Sequence, residues 1–269
     1  MNRTLWELTS EATVFDLAQP MRRGMPQSPN HPPFRMLLER RHGDMRRVDG
    51  GSAANELIVT GGHVGTHVDA LAHVSHDGYV HGGIPAAELQ SHDGFSALGI
   101  DEFAPFVGRA VHLDVARLHG VQVLPAGHRI TADELAAAEK ASAPVRPGDA
   151  VLIGTGWSRL WDDGPAFIGH DDGVPGPGPD AARWLADRGA AVAGGETIAF
   201  EHIPAGKGHA TLPVHRILLV DAGINIVETM RLHELADAGA TEFLLVLAPL
   251  PVVGATGAPA RPLAVVPRG

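Results

Sequence analysis

The chain has 269 residues, of which 44% are hydrophobic and 19% charged, and this composition is typical of a folded domain rather than of a disordered chain. The net charge of −10 at pH 7 argues against a nucleic-acid partner, because proteins that bind phosphate backbones carry clustered lysine and arginine. The chain has no cysteine, which excludes disulfides and cysteine nucleophiles and leaves histidine and carboxylate side chains as metal ligands. We expect one domain spanning residues 1–269, because α/β folds of this length often share one core.

The start of the chain predicts a cytoplasmic protein. Glu7 and Glu11 lie where a signal peptide would be apolar. No apolar run approaches the length of a membrane span. We therefore expect no membrane partner.

Local patterns predict a mixture of strands and helices. A helix is predicted from Thr131 to about Ala141, where Thr131 and Glu134 have the spacing of a capping box. A second is predicted over 181–188 with Asp180 as its N-cap and Gly189 as its stop, and a third over 229–237. The stretch 173–179 alternates glycine and proline, which predicts a loop. Aliphatic and β-branched runs predict buried strands at 56–60, 110–115, 150–154, 216–220 and 242–247.

These elements predict a layered α/β fold with a mixed β-sheet or partial barrel flanked by helices. Glycine and proline, with 33 and 21 residues, predict many irregular loops, which are where active sites are commonly built. The order of the strands does not follow from the sequence.

Histidines concentrate in one short segment. Five of the sixteen histidines lie within nineteen residues: His63, His67, His73, His76 and His81. Neutral imidazole is the most common metal ligand, and a neighbouring carboxylate, Asp69, can offset the charge of a divalent ion. His76 and His81 are interpreted as supporting or surface residues.

No regular element brings these side chains to one ion. A helix would turn Asp69 about 120° away from His63, and a straight strand would separate His63 from His73 by about 33 Å. The chain must therefore bend, and glycines at 61, 62 and 65 permit it. We expect a glycine-hinged loop whose side chains converge.

The segment from His63 to His73 resembles the signature of the cyclase-type metal-dependent hydrolases, His-x-Gly-Thr-His-x-Asp-x-Pro-x-His, with Leu71 in the position of the proline. This family includes bacterial kynurenine formamidases, isatin hydrolases and lactone-opening enzymes. The Asp-Ala-Leu-Ala-His form is more similar to the isatin hydrolases. The resemblance continues at 15–17, 24–26, 152–157 and 194–197, where Glu196 replaces the aspartate of many relatives, and at 215–219, 226–228 and 259–264.

The resemblance implies a swivelling β/β/α fold and assigns roles to particular residues. It implies that the metal ligands are His63, His67, Asp69, His215 and Glu228. His73 would transfer the proton. The implied cofactor is Mn²⁺ or Zn²⁺, as one or two ions, and the implied assembly is a homodimer.

The predicted function is hydrolysis of an amide, lactam or lactone carbonyl by metal-activated water. An isatin-like cyclic amide is favoured, so the expected partner is a small aromatic amide or lactam. An alternative within the family is an arylformamidase acting on N-formylkynurenine. Alternatives from other classes are a non-haem iron oxygenase, because His67, Asp69 and His215 imitate its two-histidine, one-carboxylate triad, and a binding module with a structural ion. No Gly-x-Ser-x-Gly elbow marks a serine nucleophile.

Overall fold

The computed structural model describes residues 10–267. Its strands are β1 Ala12–Asp16, β2 Arg35–Arg40, β3 Asn55–Val59, β4 His67–Asp69, β5 Tyr79–Val80, β6 Ile84–Pro85, β7 Gln90–Ser91, β8 Gly94–Phe95, β9 Phe106–Asp114, β10 Arg129–Ile130, β11 Ala150–Gly154, β12 Gly176–Pro177, β13 Val192–Gly195, β14 Asn225–Glu228, β15 Glu242–Leu247, β16 Gly257–Pro259 and β17 Leu263–Pro267. Its α-helices are α1 Ala86–Leu89, α2 Val115–Leu118, α3 Ala132–Ala141, α4 Gly164–Ile168, α5 Pro179–Asp187, α6 Pro213–His215 and α7 His233–Asp237. Three 3₁₀ turns lie at His81–Gly83, Ile100–Glu102 and Trp157–Leu160, and a π-helical segment, Arg216–Ala222, continues α6.

A nine-stranded mixed sheet forms the centre of the fold, in the order β1-β17-β15-β9-β11-β13-β14-β4-β16. Strands β9, β11, β13 and β14 run parallel, and the strands that flank them pair antiparallel. The sheet is strongly curled into a half-barrel. The expectation of an α/β fold with a mixed sheet or partial barrel is therefore confirmed.

Each face of the sheet is covered by its own hydrophobic core. Val111, Ile153 and Ile226 point to the face that packs against α3, α5 and the α6 segment. Leu152 and Val227, one residue away on the same strands, point to the other face. Because successive side chains of a strand alternate between faces, a strand that is buried on both sides reads as a continuous apolar run. This is why β11 is recognisable in the sequence.

The helices predicted over 131–141 and 181–188 are both present, but their details differ. Helix α3 has Thr131 as its N-cap and the predicted capping box with Glu134. The N-cap of α5 is Gly178, however, so the prediction of Asp180 for that role is wrong. Pro179 takes the first helical position, which suits its missing N–H. The Asp180 carboxylate instead accepts a hydrogen bond from the backbone N–H of Ala132 at the start of α3.

Two other predicted elements need correction. Residues 216–220 are helical rather than a strand, because Pro213 starts a helix that continues into them and buries Leu218 and Leu219. A short aliphatic run does not distinguish a buried helix from a buried strand. The third helix covers only His233–Asp237, since β14 ends at Glu228, the chain turns at Thr229, whose φ is +56°, and Met230 forms a β-bridge with Ala18.

The remaining strand predictions agree with β11 and β15, while β9 extends further toward the N-terminus than predicted. The predicted loop at 173–179 contains only the two-residue strand β12 before α5 begins. The prediction at 56–60 corresponds to β3, but this strand is exposed rather than buried. It pairs only with β2, as a two-stranded hairpin outside the main sheet.

None of the helices among residues 10–267 is long and apolar enough to cross a membrane.

Candidate active site

The pairing of two short strands places three polar side chains together. Strand β4 pairs antiparallel with β14 so that His67 lies opposite Glu228 and Asp69 lies opposite Ile226. Val68 and Val227 point to the core on the other face. His67, Asp69 and Glu228 therefore share one face of the sheet, where each is at most 5% exposed.

The bend predicted before β4 is present and is made at Gly65, whose φ is +72°. It brings His63 back over β4, so that His63 Nδ1 lies 2.7 Å from Asp69 Oδ1. The His63 and His73 rings stack with their centroids 3.8 Å apart. Gly257 on β16 leaves room for this arrangement, because a Cβ there would lie 2.5 Å from His63 Cε1. The expected glycine-hinged convergence is therefore observed.

His215 reaches the same point from a different part of the chain, at the end of α6. Its Nε2 lies 3.1 Å from Glu228 Oε1 and 3.6 Å from Asp69 Oδ2. Its backbone N–H and its Nδ1–H both point at Glu201 Oε1, at 3.0 and 2.6 Å. Glu201, which is 1% exposed, thus orients the ring so that Nε2 faces the two other carboxylates. This is the usual arrangement behind a metal-binding imidazole.

Two buried atoms at the centre of the cluster lack hydrogen-bond partners, namely His67 Nε2 and Asp69 Oδ2. The Nδ1–H of His67 donates to the Gly65 carbonyl at 2.8 Å. This hydrogen bond holds Nε2 of the same ring facing Asp69 and Glu228, at 3.4 Å from each carboxylate. Buried polar atoms are rarely left unpaired. Imidazole and carboxylate donors that converge on such a point fit a divalent cation of the manganese or zinc type.

The charges in the cluster also favour a cation. Burial lowers the pKa of His67, but the carboxylates of Asp69 and Glu228 outweigh it and raise that pKa to about 10. Burial likewise opposes charge on His215, yet Glu201 and Glu228 raise its pKa to about 10. Three buried carboxylates therefore hold positive charge on two imidazoles, and a divalent ion can supply that charge instead.

His73 differs from the other histidines of the cluster. Burial lowers its pKa to about 4; the attraction of Asp69 and Glu228 opposes this effect, and repulsion from His63 and His215 adds to it. It is therefore a neutral imidazole at pH 7, able to accept a proton. All six side chains predicted from the sequence to form the site thus meet at one place.

Several residues of this site were missed from the sequence. His31 stacks on His63 at 5.3 Å, and His209 approaches Asn30 through its Nδ1 at 3.0 Å. Thr256 Oγ1 lies 2.9 Å from His63 Nε2. Each comes from a separate loop with no recognisable motif, and Glu201, fourteen residues before His215, was likewise not marked by any pattern in the sequence.

Glu196 and Leu71 are the two residues that depart from the family pattern, and the structure shows what each of them contacts. The Glu196 carboxylate, 1% exposed, accepts hydrogen bonds from the backbone of Thr155 and Gly156, both at 2.6 Å, and from the Ser158 hydroxyl at 2.5 Å. It therefore organises the turn after β11. Leu71 is partly buried and packs against the helix-side core.

The cluster opens into a small cavity of about 290 Å³, which includes space open to solvent. Ile198, Ala199 and Leu212 form its apolar side, opposite the histidines and Glu228. A larger open cavity of about 880 Å³ lies beside His112 and Asp114. Among residues 10–267, that larger cavity contains none of the groups of three converging metal ligands.

Comparison with known proteins places these observations in a family. Residues 15–202 match the family described as Cyclase. The chain is 29% identical over 232 residues to isatin hydrolase from Roseibium aggregatum, covering 82% of this chain and 78% of that protein. It superposes on the crystal structure of a novel cyclase with a TM-score of 0.87 and 30% identity, covering 97% of this chain and 90% of the other.

A third similarity is to the structure of a predicted metal-dependent hydrolase from Bacillus stearothermophilus, with a TM-score of 0.59 and 26% identity, covering 94% of this chain and 98% of the other. The family match spans well over half of the chain, including the whole segment from His63 to His73. The chain therefore belongs to the cyclase family and is a metal-dependent hydrolase.

Proposed function

We propose that this enzyme hydrolyses the C–N bond of a small cyclic amide of the isatin type. The proposal rests on one observation above all: His67 Nε2 and Asp69 Oδ2 are buried without partners, beside an imidazole, His73, that is neutral at pH 7. A relative that is 29% identical over most of the chain is an isatin hydrolase. Its substrate class is the natural first candidate here.

The proposed metal ligands are the five residues His63, His67, Asp69, His215 and Glu228. A divalent ion, Mn²⁺ or Zn²⁺, lowers the pKa of a water molecule and polarises a carbonyl when it is bound. His67, Asp69 and Glu228 form one group, and His63 and Asp69 form another with the proposed proton carrier His73, each with its ligand atoms within 4.8 Å of one another. His215 joins the first group through Nε2, which lies 3.1 Å from Glu228 Oε1. Two groups that share Asp69 are compatible with one ion or with two.

His73 is proposed to move the proton. Its stacking on His63 holds the ring at the mouth of the cluster, where it lines the cavity together with Ile198 and Leu212. As a neutral base it accepts a proton from the attacking water, and the resulting imidazolium returns that proton to the leaving nitrogen. The nearby carboxylate of Asp69 stabilises the imidazolium while it exists.

The cavity favours a compact substrate. One side is apolar, through Ile198, Ala199 and Leu212, and the other carries the histidines and Glu228. A fused ring can lie along the apolar side with its carbonyl directed at the ligand cluster. N-formylkynurenine remains the alternative substrate, because its formamide undergoes the same chemistry.

The decisive experiment is a substrate panel under anaerobic conditions, with isatin, N-formylkynurenine and an unsaturated lactone, each with Mn²⁺ or Zn²⁺. Turnover of isatin with release of the ring-opened carboxylate supports the proposal. Turnover of N-formylkynurenine alone supports the arylformamidase. Inactivity without oxygen and activity with it would support the iron oxygenase, and hydrolysis of none of the three would reject the proposed substrate class.

The His73 role has its own test. We expect His73→Asn to lower kcat by about 10²-fold or more, the usual contribution of a general base, while the metal content stays that of the wild type. Full turnover by a metal-loaded His73→Asn variant would refute the role.

We also propose that the enzyme is a homodimer whose interface includes the β2–β3 hairpin. Both faces of this hairpin are exposed and apolar, with Met36, Leu37, Leu57 and Ile58 between 39% and 53% exposed. An isolated two-stranded hairpin is marginal in water, and exposed apolar patches commonly mark interfaces.

Charge supports a second copy as the partner. Residues 34–60 carry five arginines and four carboxylates, a net charge of +1. Because the whole chain has a net charge of −10, the remaining residues together carry −11. The segment 34–60 is therefore slightly positive while the rest of the chain is strongly negative, a difference in sign that favours contact of the hairpin with a second copy.

A further inference from the structure

A second group of potential metal ligands lies outside the active site. It consists of His119, His128 and Glu134, whose ligand atoms all lie within 4.8 Å of one another. His119 follows α2, His128 precedes β10, and Glu134 belongs to the first turn of α3. Three separate segments thus contribute one ligand each.

Both imidazoles face the same oxygen. Glu134 Oε1 lies 2.6 Å from His119 Nε2 and 2.8 Å from His128 Nε2. The two rings are 5.0 Å apart and nearly perpendicular. Ligand atoms of a tetrahedral zinc ion are separated by about 3.3 Å, given Zn–N and Zn–O distances of about 2 Å. An ion can therefore enter if the His119 and His128 rings move outward from Glu134 by about 0.7 and 0.5 Å respectively.

The positions of all three ligands are held by the backbone or by neighbouring groups. The second oxygen of Glu134 accepts hydrogen bonds from the Thr131 backbone at 2.7 Å and from the Thr131 hydroxyl at 2.8 Å. The backbone N–H of His128 donates to the Pro125 carbonyl at 3.1 Å, and the backbone N–H of His119 donates to the Val115 carbonyl at 3.2 Å, so the main chain is fixed at both histidines. A site whose ligands are already positioned loses little entropy when it binds an ion.

The charge and the accessibility of the group also suit a cation. Partial burial opposes ionisation of Glu134, but its hydrogen bonds to Thr131 and the two histidines lower its pKa to about 2. The side chains of His119 and His128 are 39% and 24% exposed. An ion can therefore enter from solvent and keep water as its remaining ligand.

We propose that His119, His128 and Glu134 bind a divalent cation of the zinc type, separate from the ions of the active site. Two imidazoles and one carboxylate are the donor set that zinc accepts with a water in the fourth position. The bound ion ties the 119–128 segment to α3. Because Gly120, Val121 and Gln122 of that segment line the larger cavity beside Asp114, the ion stabilises one wall of that cavity.

The test counts all divalent ions bound to the full-length enzyme after its active site has been loaded with Mn²⁺ and free ions removed. Zinc is then titrated by calorimetry, and total manganese and zinc are measured by elemental analysis. We expect the wild type to bind one more ion per chain than the double variant His119→Asn, His128→Asn. His92→Asn, which changes an exposed histidine elsewhere, is the matched control and should bind as many ions as the wild type.

Glu134 is left unchanged because its loss would also remove the cap of α3. Turnover and manganese content of the double variant should match those of the wild type. Equal ion counts in the wild type and the double variant would overturn the proposal. A second measurement needs no variant: in zinc-soaked crystals, an anomalous peak about 2 Å from both Nε2 atoms supports the site, and peaks only elsewhere reject it.

Discussion

Binding of a divalent ion at the active site should strengthen steeply as the pH rises from 7 to 8. The carboxylates hold the pKa of both His67 and His215 at about 10, so both rings carry a proton at pH 7 in the metal-free enzyme. A metal ion needs the unprotonated ring. Each proton released makes the affinity rise tenfold per pH unit, or about 1.4 kcal/mol. Two released protons therefore predict a gain of about 100-fold.

The same pKa values predict how stability changes with pH. The folded-state pKa of each ring lies above the unfolded value of about 6.5. The resulting stabilisation is fully present below pH 6.5 and is lost as the pH rises toward 10. The metal-free enzyme should therefore lose thermal stability across this range. The metal-loaded enzyme should lose less, because the ion replaces the protons.

Calorimetry in buffers of different ionisation enthalpy measures the number of protons released on binding. We expect about two for the wild type at pH 7 and about one for His215→Asn. His73→Asn is the control and should leave the number unchanged, because burial already keeps the pKa of His73 at about 4. Binding that releases no proton at pH 7, or an affinity independent of pH, would refute the reasoning.

Four further predictions follow from contacts in the structure. Glu201→Gln replaces the charged acceptor behind His215 and should weaken metal affinity by 10- to 100-fold, the usual effect of losing such a partner; competition with a chromophoric chelator measures it. Gly257→Ala places a Cβ 2.5 Å from His63, and the displaced ring should lower kcat measurably under metal saturation. Thr131→Ala removes the cap of α3 and should lower the free energy of unfolding by about 1 kcal/mol, measured by urea denaturation. Leu37→Asp on the exposed hairpin should shift the enzyme from dimer to monomer in sedimentation experiments.

Three of these predictions have a specific result that would contradict them. Wild-type metal affinity in Glu201→Gln would mean that Glu201 does not orient His215. An unchanged kcat in Gly257→Ala would mean that His63 can move without consequence. For the hairpin, Val107→Asp is the control, because Val107 is also an exposed apolar residue, at 65% against 53% for Leu37, but lies on β9. Dissociation by both variants would point to a general loss of folding rather than to an interface.

The site was unusually well marked in the sequence, because most of its side chains come from one bent segment. His63, His67, Asp69 and His73 lie within eleven residues, and their spacing alone required a bend near Gly65. Glu228 and His215 were predicted as ligands only through the family resemblance. The structure gives the reason for Glu228, which lies opposite His67 in the pairing of β4 with β14.

The errors in the secondary structure have a common origin. Residues 216–220 and 56–60 are both short aliphatic runs, yet the first is a buried helix and the second an exposed hairpin strand. Asp180 has the residue type of an N-cap but instead accepts a hydrogen bond from the backbone N–H of Ala132 in the neighbouring helix α3, whose N-cap is Thr131. In each case the local pattern allowed several structures, and contacts distant in the chain selected one.

The sequence by itself determined the chemistry of this protein: histidine and carboxylate ligands without thiols, a glycine that permits the bend, and a signature that identifies the family. Only the tertiary structure decided which atoms meet. Strand register put Glu228 beside His67, the turn into α6 delivered His215 with Glu201 behind it, and burial separated the charged rings of His67 and His215 from the neutral His73. The physical reason is that a pKa and a converging ligand set depend on distance and desolvation, which arise only when remote segments pack together.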